Sequence, residues 1–191
     1  MTQPQSVWNS LEVVKLLASL LTPLLLLFIG IWVSRLTERF KITLWTNQKV
    51  IEKRIDVYDK IAPMLNDLYC YFYYVGNWKE LTPIQIIETK RKLDKTFYIY
   101  AALFSPEFKK LYFTFIHLCF ETYVGAGINA KLRTYIANQF ENRKKVSLTK
   151  WEDSWDEMFS EPHEVPPIEE IKNGYEALMA CFSKELGIGI Y

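Results

Sequence analysis

The chain has 191 residues, of which 50% are hydrophobic and 16% aromatic, while Gly and Pro number only 7 and 8. This composition favours a packed helical core over a disordered or loop-rich chain, and the length allows about one folded domain beside a terminal segment. The formal net charge of +1 argues against an extended nucleic-acid-binding surface, which usually requires a large basic excess. We expect contact with nucleic acid only through local basic patches or a partner complex.

An uncharged apolar run lies near the N-terminus. From Leu16 to Val33 it reads LLASLLTPLLLLFIGIWV, without a charged side chain, and a membrane-spanning helix needs about 20 mainly apolar residues. A cleaved signal peptide, the main alternative, would begin with a basic segment, whereas residues 1–10 contain no Lys or Arg. The sequence therefore predicts a short extracytoplasmic N-terminus at 1–10, a transmembrane helix at 11–35 and a cytoplasmic helical domain at 36–191.

Basic residues indicate how the predicted span is oriented. Only Lys15 precedes the apolar run closely, whereas the basic residues that follow it are Arg35, Arg39, Lys41, Lys49, Lys53 and Arg54. Lys and Arg near a span remain preferentially cytoplasmic, so we expect a single-pass inner-membrane protein with its N-terminus outside. Arg35, Arg39 and Lys41 are interpreted as a collar that contacts anionic lipid headgroups, at about 1 kcal/mol per charge.

Two pairs of small residues occur inside the predicted span. Ala18 and Thr22 are four residues apart, as are Gly30 and Ser34, and this spacing lets a second helix approach closely. The spacing would allow several copies to associate within the bilayer as a homo-oligomer. The favoured interpretation is a single anchor in which the small residues are incidental.

A long amphipathic segment follows the span. Its apolar residues recur at steps of four and three, which is typical of a helix packed lengthwise against neighbours. They are Ile51, Ile55, Tyr58, Ala62, Leu65, Tyr69 and Phe72. Only Pro63 interrupts the pattern, and Gly76 with Asn77 favours a helix end. We therefore expect one long helix that leaves the membrane and ends near Asn77.

Two helix-start signals follow. Thr82 and Pro83 are followed by Gln85, the pattern of a capping box, and Ser105 with Pro106 repeats the combination of a capping residue and a first-turn proline. Each signal predicts that a helix begins at the proline.

The remaining elements are also expected to be helical. The helix that begins at Pro106 is expected to end near Gly125 or Gly127, and further helices are expected at 129–143, 151–159 and 168–186. No segment alternates with a two-residue period. The sequence therefore predicts an all-α fold, in which a single N-terminal transmembrane helix is followed by a cytoplasmic helical bundle.

The sequence contains no recognisable catalytic or metal-binding motif. Cys70, Cys119 and Cys181 are widely spaced within apolar or mixed runs and are interpreted as reduced core residues. His117 is interpreted as a hydrogen-bonded core residue, and His163 as part of a charged loop, because no second His stands at ligand spacing. We therefore expect no enzyme activity, no catalytic residue, no metal and no cofactor.

Aromatic residues cluster where the long helix is expected to end. Tyr71, Tyr74 and Trp78 fall outside the four-and-three pattern, and exposed aromatic clusters can form partner surfaces. Together with Lys90 and Arg91 they are a candidate partner surface. The favoured alternative is that these aromatic residues are buried on a second face of the helix. The basic groups at 90–95, which include Lys90 and Arg91, and at 131–145 are most simply interpreted as solvated faces, and the alternative is a surface for nucleic acid or an acidic partner.

A family resemblance rests on several segments of the predicted cytoplasmic part. They are RIDVYDKIAPMLNDLYCYFYY from Arg54 to Tyr74, the following VGNWK, Lys90-Arg91, Leu93-Asp94 and Leu132-Arg133. In these residues the chain resembles a group of small bacterial single-span membrane proteins without assigned enzymatic activity. Some proteins of that type occur in anti-phage defence loci, including retron-type systems, and act as toxic effectors that damage the inner membrane. The resemblance implies such a role here.

Three functions are compatible with these features. The first is a membrane-anchored interaction or effector protein, whose helical domain receives a partner or signal and whose assembled copies perturb the bilayer. The second is a passive anchor or scaffold that recruits a cytoplasmic complex, and the third, least favoured, is an enzyme acting on lipid headgroups. The expected partners are the lipid bilayer, a protein and further copies of the chain.

Overall fold

The computed structural model describes residues 10–122, 125, 127, 129–138 and 141–188. It is about 75% helical with very little strand, which agrees with the predicted all-α class. Its α-helices are α1 (Ser10–Tyr73), α2 (Pro83–Tyr100), α3 (Pro106–Cys119), α4 (Arg143–Val146) and α5 (Ile168–Glu185). Short 3-10 helices lie at Ala101–Leu103, Asp153–Met158 and Pro162–Glu164. Two-residue strands β1 (Phe120–Glu121) and β2 (Lys131–Leu132) pair antiparallel.

The chain divides into two compact units, Met1–Lys49 and Val50–Tyr191. The described part of the first unit, residues 10–49, lies wholly within α1. The sequence predicts that the transmembrane helix ends at residue 35, whereas the first compact unit ends at Lys49. The basic residues at 35–49 therefore belong to the same unit as the apolar run.

Helices α2 and α3 begin where the sequence predicts. Thr82 Oγ1 accepts a hydrogen bond from the Gln85 backbone N–H at 3.3 Å, and Gln85 Oε1 accepts one from the Thr82 N–H at 2.8 Å. Ser105 Oγ accepts a hydrogen bond from the Phe108 N–H at 3.2 Å. These local contacts satisfy N–H groups that have no partner inside the helix, so both helix starts were predictable from neighbouring residues.

The hydrophobic core of the second unit draws on α1, α2, α3 and α5. The α1 residues buried in it are Val57, Ile61, Leu65, Leu68, Tyr71 and Phe72. The predicted series is wrong at its start, because Ile51 and Ile55 are 37% and 43% exposed. Apolar spacing predicts that a helix has a buried face, but it does not say at which turn the neighbouring helices begin to cover that face.

Helices α3 and α5 approach each other closely, and aromatic rings fill much of the core. A Cβ atom at Gly174 of α5 would lie only 2.8 Å from Leu118 Cδ1 of α3, so a glycine suits this contact. The rings of Phe97 in α2 and Tyr112 in α3 are stacked with their centroids 3.7 Å apart. The aromatic content therefore serves mainly to pack the helices of this unit.

The chain that follows α3 differs from the prediction. Helix α3 ends at Cys119 rather than near Gly125, because Phe120 and Glu121 pair with Leu132 and Lys131.

The prediction of a helix at 129–143 is also wrong for the residues that the structure describes there. Residues 129–138 and 141–142 form β2 and turns. Leu132 is 0% exposed, and its carbonyl oxygen accepts a hydrogen bond from the Ser160 N–H at 2.9 Å. This long-range backbone pairing overrides the local spacing of apolar residues. Phe140, which contributed to that spacing, lies outside the described residues.

The last two predicted elements agree more closely with the structure. The aromatic stripe at 151–159 contains a 3-10 helix, Asp153–Met158, and Trp155 and Phe159 are buried. Helix α5 matches the predicted 168–186 within one residue. One histidine prediction is wrong, since the His117 side chain is exposed on α3 rather than buried.

Candidate functional site

The N-terminal part of α1 exposes an uninterrupted apolar surface. From Leu11 to Trp45, the exposed fraction of every large apolar side chain lies between 40% at Val13 and 79% at Phe28. Among the described residues, α1 is the helix that is long and apolar enough to cross a membrane, by length and composition. Soluble monomeric proteins rarely expose contiguous apolar surface of this extent.

The predicted collar and both pairs of small residues lie on this exposed segment. Arg35, Arg39 and Lys41 follow the apolar run within two turns, and their side chains are exposed. A Cβ atom at Gly30 would have no other heavy atom within 4 Å, so the helix surface beside this residue is open. Lipid contact at the collar and helix packing at the small residues stay predictions.

A buried arginine lies among the aromatic residues at the other end of α1. The guanidinium carbon of Arg143 is 4.0 Å from the ring centroid of Tyr71, 4.2 Å from that of Tyr74 and 5.4 Å from that of Trp78. Arg143 is only 2% exposed. Attraction between a desolvated cation and an aromatic face contributes about 2 kcal/mol. We call these four residues the arginine cage.

Neutral oxygen atoms accept hydrogen bonds from two of the three guanidinium nitrogens of Arg143, whereas its Nη1 is buried without a partner among the described residues. Its Nε donates to the carbonyl oxygen of Tyr135 at 3.0 Å, and its Nη2 donates to the carbonyl oxygen of Tyr71 at 2.8 Å and to Thr134 Oγ1 at 3.2 Å. Within the described part of the chain, no carboxylate forms an ion pair with it. Because a buried charge without compensation is costly, these acceptors and the ring faces must together stabilise the guanidinium.

Burial in the cage corrects the predicted partner surface. Tyr71 and Trp78 are 1% and 6% exposed, and Tyr74 is half-buried, so the prediction of an exposed cluster is wrong for the first two. Helix α1 ends at Tyr73, and Tyr74 has a φ of 62°. The rings of Tyr74 and Trp78 meet edge to face after this turn, with centroids 5.2 Å apart. The buried alternative agrees with the structure.

The two predicted basic residues have other partners. Lys90 Nζ forms an ion pair with Asp94 Oδ2 at 2.6 Å, and the Tyr112 hydroxyl donates to Asp94 Oδ1 at 2.6 Å. Arg91 is exposed and donates a hydrogen bond to Asn129 Oδ1. Among the described residues, neither Lys90 nor Arg91 forms a hydrogen bond, an ion pair or a cation–π contact with the arginine cage.

Burial also changes the acidity of the tyrosines in these clusters. It raises the pKa of the Tyr71 hydroxyl to about 12, although the Arg143 guanidinium opposes the rise. Burial, reinforced by the Asp94 carboxylate, raises the pKa of Tyr112 far above its usual value. Both hydroxyls are therefore neutral at physiological pH.

Sequence reasoning missed Arg143, the central residue of the cage. It was counted in the basic group at 131–145 and expected to be solvated. One signal was present, because five aromatic residues within the eight positions 71–78 offer ring faces that attract a cation. Nothing in the spacing linked residue 143 to residues 71–78, since that contact depends on the path of the chain after α3.

A groove of about 590 Å³ lies beside the cage. Tyr74 and Thr134 belong to its lining and also contact Arg143. Arg133, also in the lining, donates to the carbonyl oxygen of His117 at 3.0 Å and to Glu164 Oε2 at 3.1 Å. The groove volume is within the usual range of small-molecule sites, about 300 to 1,000 Å³.

The groove is lined mainly by apolar and aromatic side chains. The groove lining contains no Cys, His, Ser, Asp or Glu, and no group of three or more His, Cys, Asp or Glu in the described ranges is placed to hold a metal ion. Comparison of the chain with protein-family models, with curated proteins and with solved structures found no match.

Proposed function

We propose that this protein is a membrane-anchored helical effector without enzyme activity. Residues 11–35 cross the bacterial inner membrane, residues 1–10 lie outside, and the helical bundle formed within residues 36–191 lies in the cytoplasm. The cytoplasmic domain receives a protein partner or signal, and assembled copies then perturb the bilayer. The family resemblance adds anti-phage defence as the setting in which such an effector would act.

One observation carries the anchoring step. The charge-free residues 16–33 form part of a single α-helix, and none of their side chains is buried. A helix satisfies its own backbone hydrogen bonds, which is what the bilayer interior requires. The hydroxyls of Ser19 and Thr22 also bond within the helix, to the carbonyl oxygens of Leu16 at 2.8 Å and Ala18 at 2.7 Å. This segment therefore suits a lipid environment on every side.

The anchoring step is tested by charging the middle of the span. The double variant Leu25→Arg with Leu26→Arg adds two charges, each unfavourable by about 2.5 to 3.5 kcal/mol on an insertion scale. We expect it to leave the membrane fraction of induced cells, whereas Leu25→Val with Leu26→Val should remain. Retention of the double arginine variant after a carbonate wash would contradict the proposed span.

Orientation is tested with a reporter that is active only in the cytoplasm. The positive charges after the span predict activity when the reporter follows Tyr191 and none when it precedes Met1. The opposite pattern would reject both the orientation and the lipid collar at Arg35, Arg39 and Lys41.

The effector step is tested by membrane potential. Induction of the full chain should depolarise cells, as measured with a potential-sensitive dye, and the double arginine variant should not. Normal potential at high levels of membrane-inserted protein would favour the passive anchor or scaffold instead.

A further inference from the structure

Apolar side chains continue along α1 beyond the charge-free run. Residues 34–49 carry five charged side chains, yet Leu36, Phe40 and Leu44 are 43%, 61% and 67% exposed. Lipid tails do not cover a segment that carries this many charges. A protein surface is therefore needed to cover Leu36, Phe40 and Leu44 and exclude water from them.

Leu36 and Phe40 belong to a regular series along α1. Successive steps of three and four residues connect its members, which are Ser19, Thr22, Leu26, Ile29, Val33, Leu36, Phe40, Thr43 and Asn47. The series spans four heptads and contains no charged residue. Steps of three and four place side chains along the contact line of two supercoiled helices. We call this series the uncharged seam.

A rival line runs through the second pair of small residues. Gly30 and Ser34 continue at the same steps to Thr37 and Lys41. Contact between two copies along that line would bring their Lys41 side chains together, which is unfavourable. Gly30 is about 120° around the helix from Ala18, at about 100° per residue, so the two small pairs lie on different sides of the helix.

The hydroxyl groups on the uncharged seam do not require a polar partner. Ser19 and Thr22 bond to carbonyl oxygens of the preceding turn, and Thr43 Oγ1 donates to the Arg39 carbonyl oxygen at 3.0 Å. Their methyl and methylene groups are thus available for packing, with no hydroxyl left to satisfy. A closely packed apolar neighbour suits this surface.

The last member of the seam, Asn47, is polar and exposed. Its side-chain amide carries both donors and an acceptor, so it can pair with an identical amide that faces it. A single Asn on the contact line of two parallel helices is a feature that fixes their register. Asn47 therefore suits contact with the same residue of another copy.

A second copy of the same chain fits these requirements. If every copy crosses the membrane once in the same direction, two copies lie parallel, and each seam residue meets its own counterpart. Beside the contact line of two parallel helices, a residue of one helix lies next to the residue five positions further along the other helix. Arg39 of one copy would therefore lie next to Leu44 of the other copy, and not next to a like charge. The seam is therefore complementary to itself over its whole length.

We propose that α1 associates with α1 of a second copy through the uncharged seam, as a parallel, in-register helix pair from Ser19 to Asn47. The proposal rests on the single-span orientation proposed above. Of the four small residues it places Thr22 on the contact line and Ser34 outside it.

Thiol cross-linking of the full chain in isolated membranes tests the contact. Single cysteines replace Leu36 or Phe40 on the seam, and Ile42 or Trp45 off it. The native Cys70, Cys119 and Cys181 are 8% exposed or less, which limits their reaction. With a short cross-linker we expect about tenfold more dimer from the seam positions, since residues at these positions face each other in a helix pair.

Equal dimer yields at the seam and off-seam positions would overturn the proposal. So would a seam adduct whose mass is not twice that of the chain, because the occupant would then be a different protein.

A matched pair of glutamate variants gives an independent test. Phe40 and Trp45 are both 61% exposed, but only Phe40 is on the seam. Phe40→Glu should reduce the yield of the Leu36→Cys dimer about tenfold, because two carboxylates would face each other across the pair. Trp45→Glu should leave that yield unchanged.

The outcomes separate this proposal from the proposed anchor. Loss of the dimer with Gly30→Leu but not with Phe40→Glu would overturn the seam in favour of the rival line. If the parent chain is membrane-bound and the seam pattern is absent, the seam is wrong and the anchor stands. If the parent chain is absent from membranes, both fail.

Discussion

Residues 11–45 and residues 57–72 belong to the same helix, α1, yet their apolar side chains have opposite environments. In the first stretch every large apolar side chain is at least 40% exposed, whereas Val57, Ile61, Leu65 and Leu68 are 0% exposed. Charge distinguishes the two as well, because residues 16–33 carry none and residues 52–60 carry six. A helix with one polar side needs protein on its other side, while a helix that is apolar all round suits lipid.

The largest difference between the two stretches is expected when one leucine in each is replaced by alanine. Leu65→Ala should lower the free energy of unfolding of the second unit by about 2 to 5 kcal/mol, because it leaves a cavity in a packed core. Leu27→Ala, in the exposed stretch, should change it by less than about 0.5 kcal/mol. Denaturant titration of the full chain in detergent, followed by tryptophan fluorescence, measures both. Equal losses would contradict the assignment of Leu27 to the outside of the fold.

A second variant tests whether Arg143 holds the end of the buried stretch. Arg143→Gln removes hydrogen bonds to the Tyr71 and Tyr135 carbonyl oxygens and the cation beside three rings. We expect a loss of about 3 kcal/mol in the free energy of unfolding. Lys145→Gln, an exposed residue two positions away, is the control and should have no measurable effect. Equal unfolding free energies for the two variants would show that the arginine cage does not stabilise the fold.

A third pair of variants concerns the first turns of the second unit. Arg54 Nη1 lies 3.0 Å from Glu185 Oε2, and Arg54 Nε donates to the Leu103 carbonyl oxygen at 2.7 Å. This partly buried contact joins α1 to α5, so Arg54→Gln should cost about 2 kcal/mol. The neighbouring ion pair of Lys53 with Asp56 is exposed, and Lys53→Gln should cost less than about 0.5 kcal/mol. Thermal unfolding of the two variants in the same detergent gives the comparison.

The smallest effect at neutral pH is expected for Tyr71→Phe. Among the described residues the buried Tyr71 hydroxyl has no hydrogen-bond partner, so its removal should change the free energy of unfolding by less than about 1 kcal/mol. Between pH 10 and the native pKa of about 12, the unfolded chain loses this proton while the folded chain keeps it. Folded stability therefore falls with rising pH, by up to about 1.4 kcal/mol per unit for one group.

Tyr71→Phe should remove that contribution to the alkaline slope. Tyr112, whose pKa is also raised, should preserve part of the slope in the variant. Unfolding curves collected from pH 9 to pH 12 compare the two proteins. Identical slopes would show that Tyr71 loses its proton equally readily in the folded and unfolded states.

Local sequence determined the features that depend on neighbouring residues. The capping pattern Thr82-Pro83 with Gln85 and the pair Ser105-Pro106 located two helix starts, since each cap is formed by side chains three residues from their partners. The charge-free run at 16–33 determined where an exposed apolar helix would lie. This prediction does not depend on any other segment, because a helix that is apolar on every side favours lipid on every side.

Only the tertiary structure decided the features that join distant parts of the chain. The pairing of Phe120 with Leu132 replaced two expected helical segments, and the path that follows it carries Arg143 back to Tyr71, Tyr74 and Trp78. These residues are about seventy positions apart in sequence, and neither apolar spacing nor charge pattern specifies which distant backbone oxygens or ring faces will surround a cation. Burial of Arg143 therefore depends on the packed core, whereas exposure of the N-terminal helix follows from its own composition.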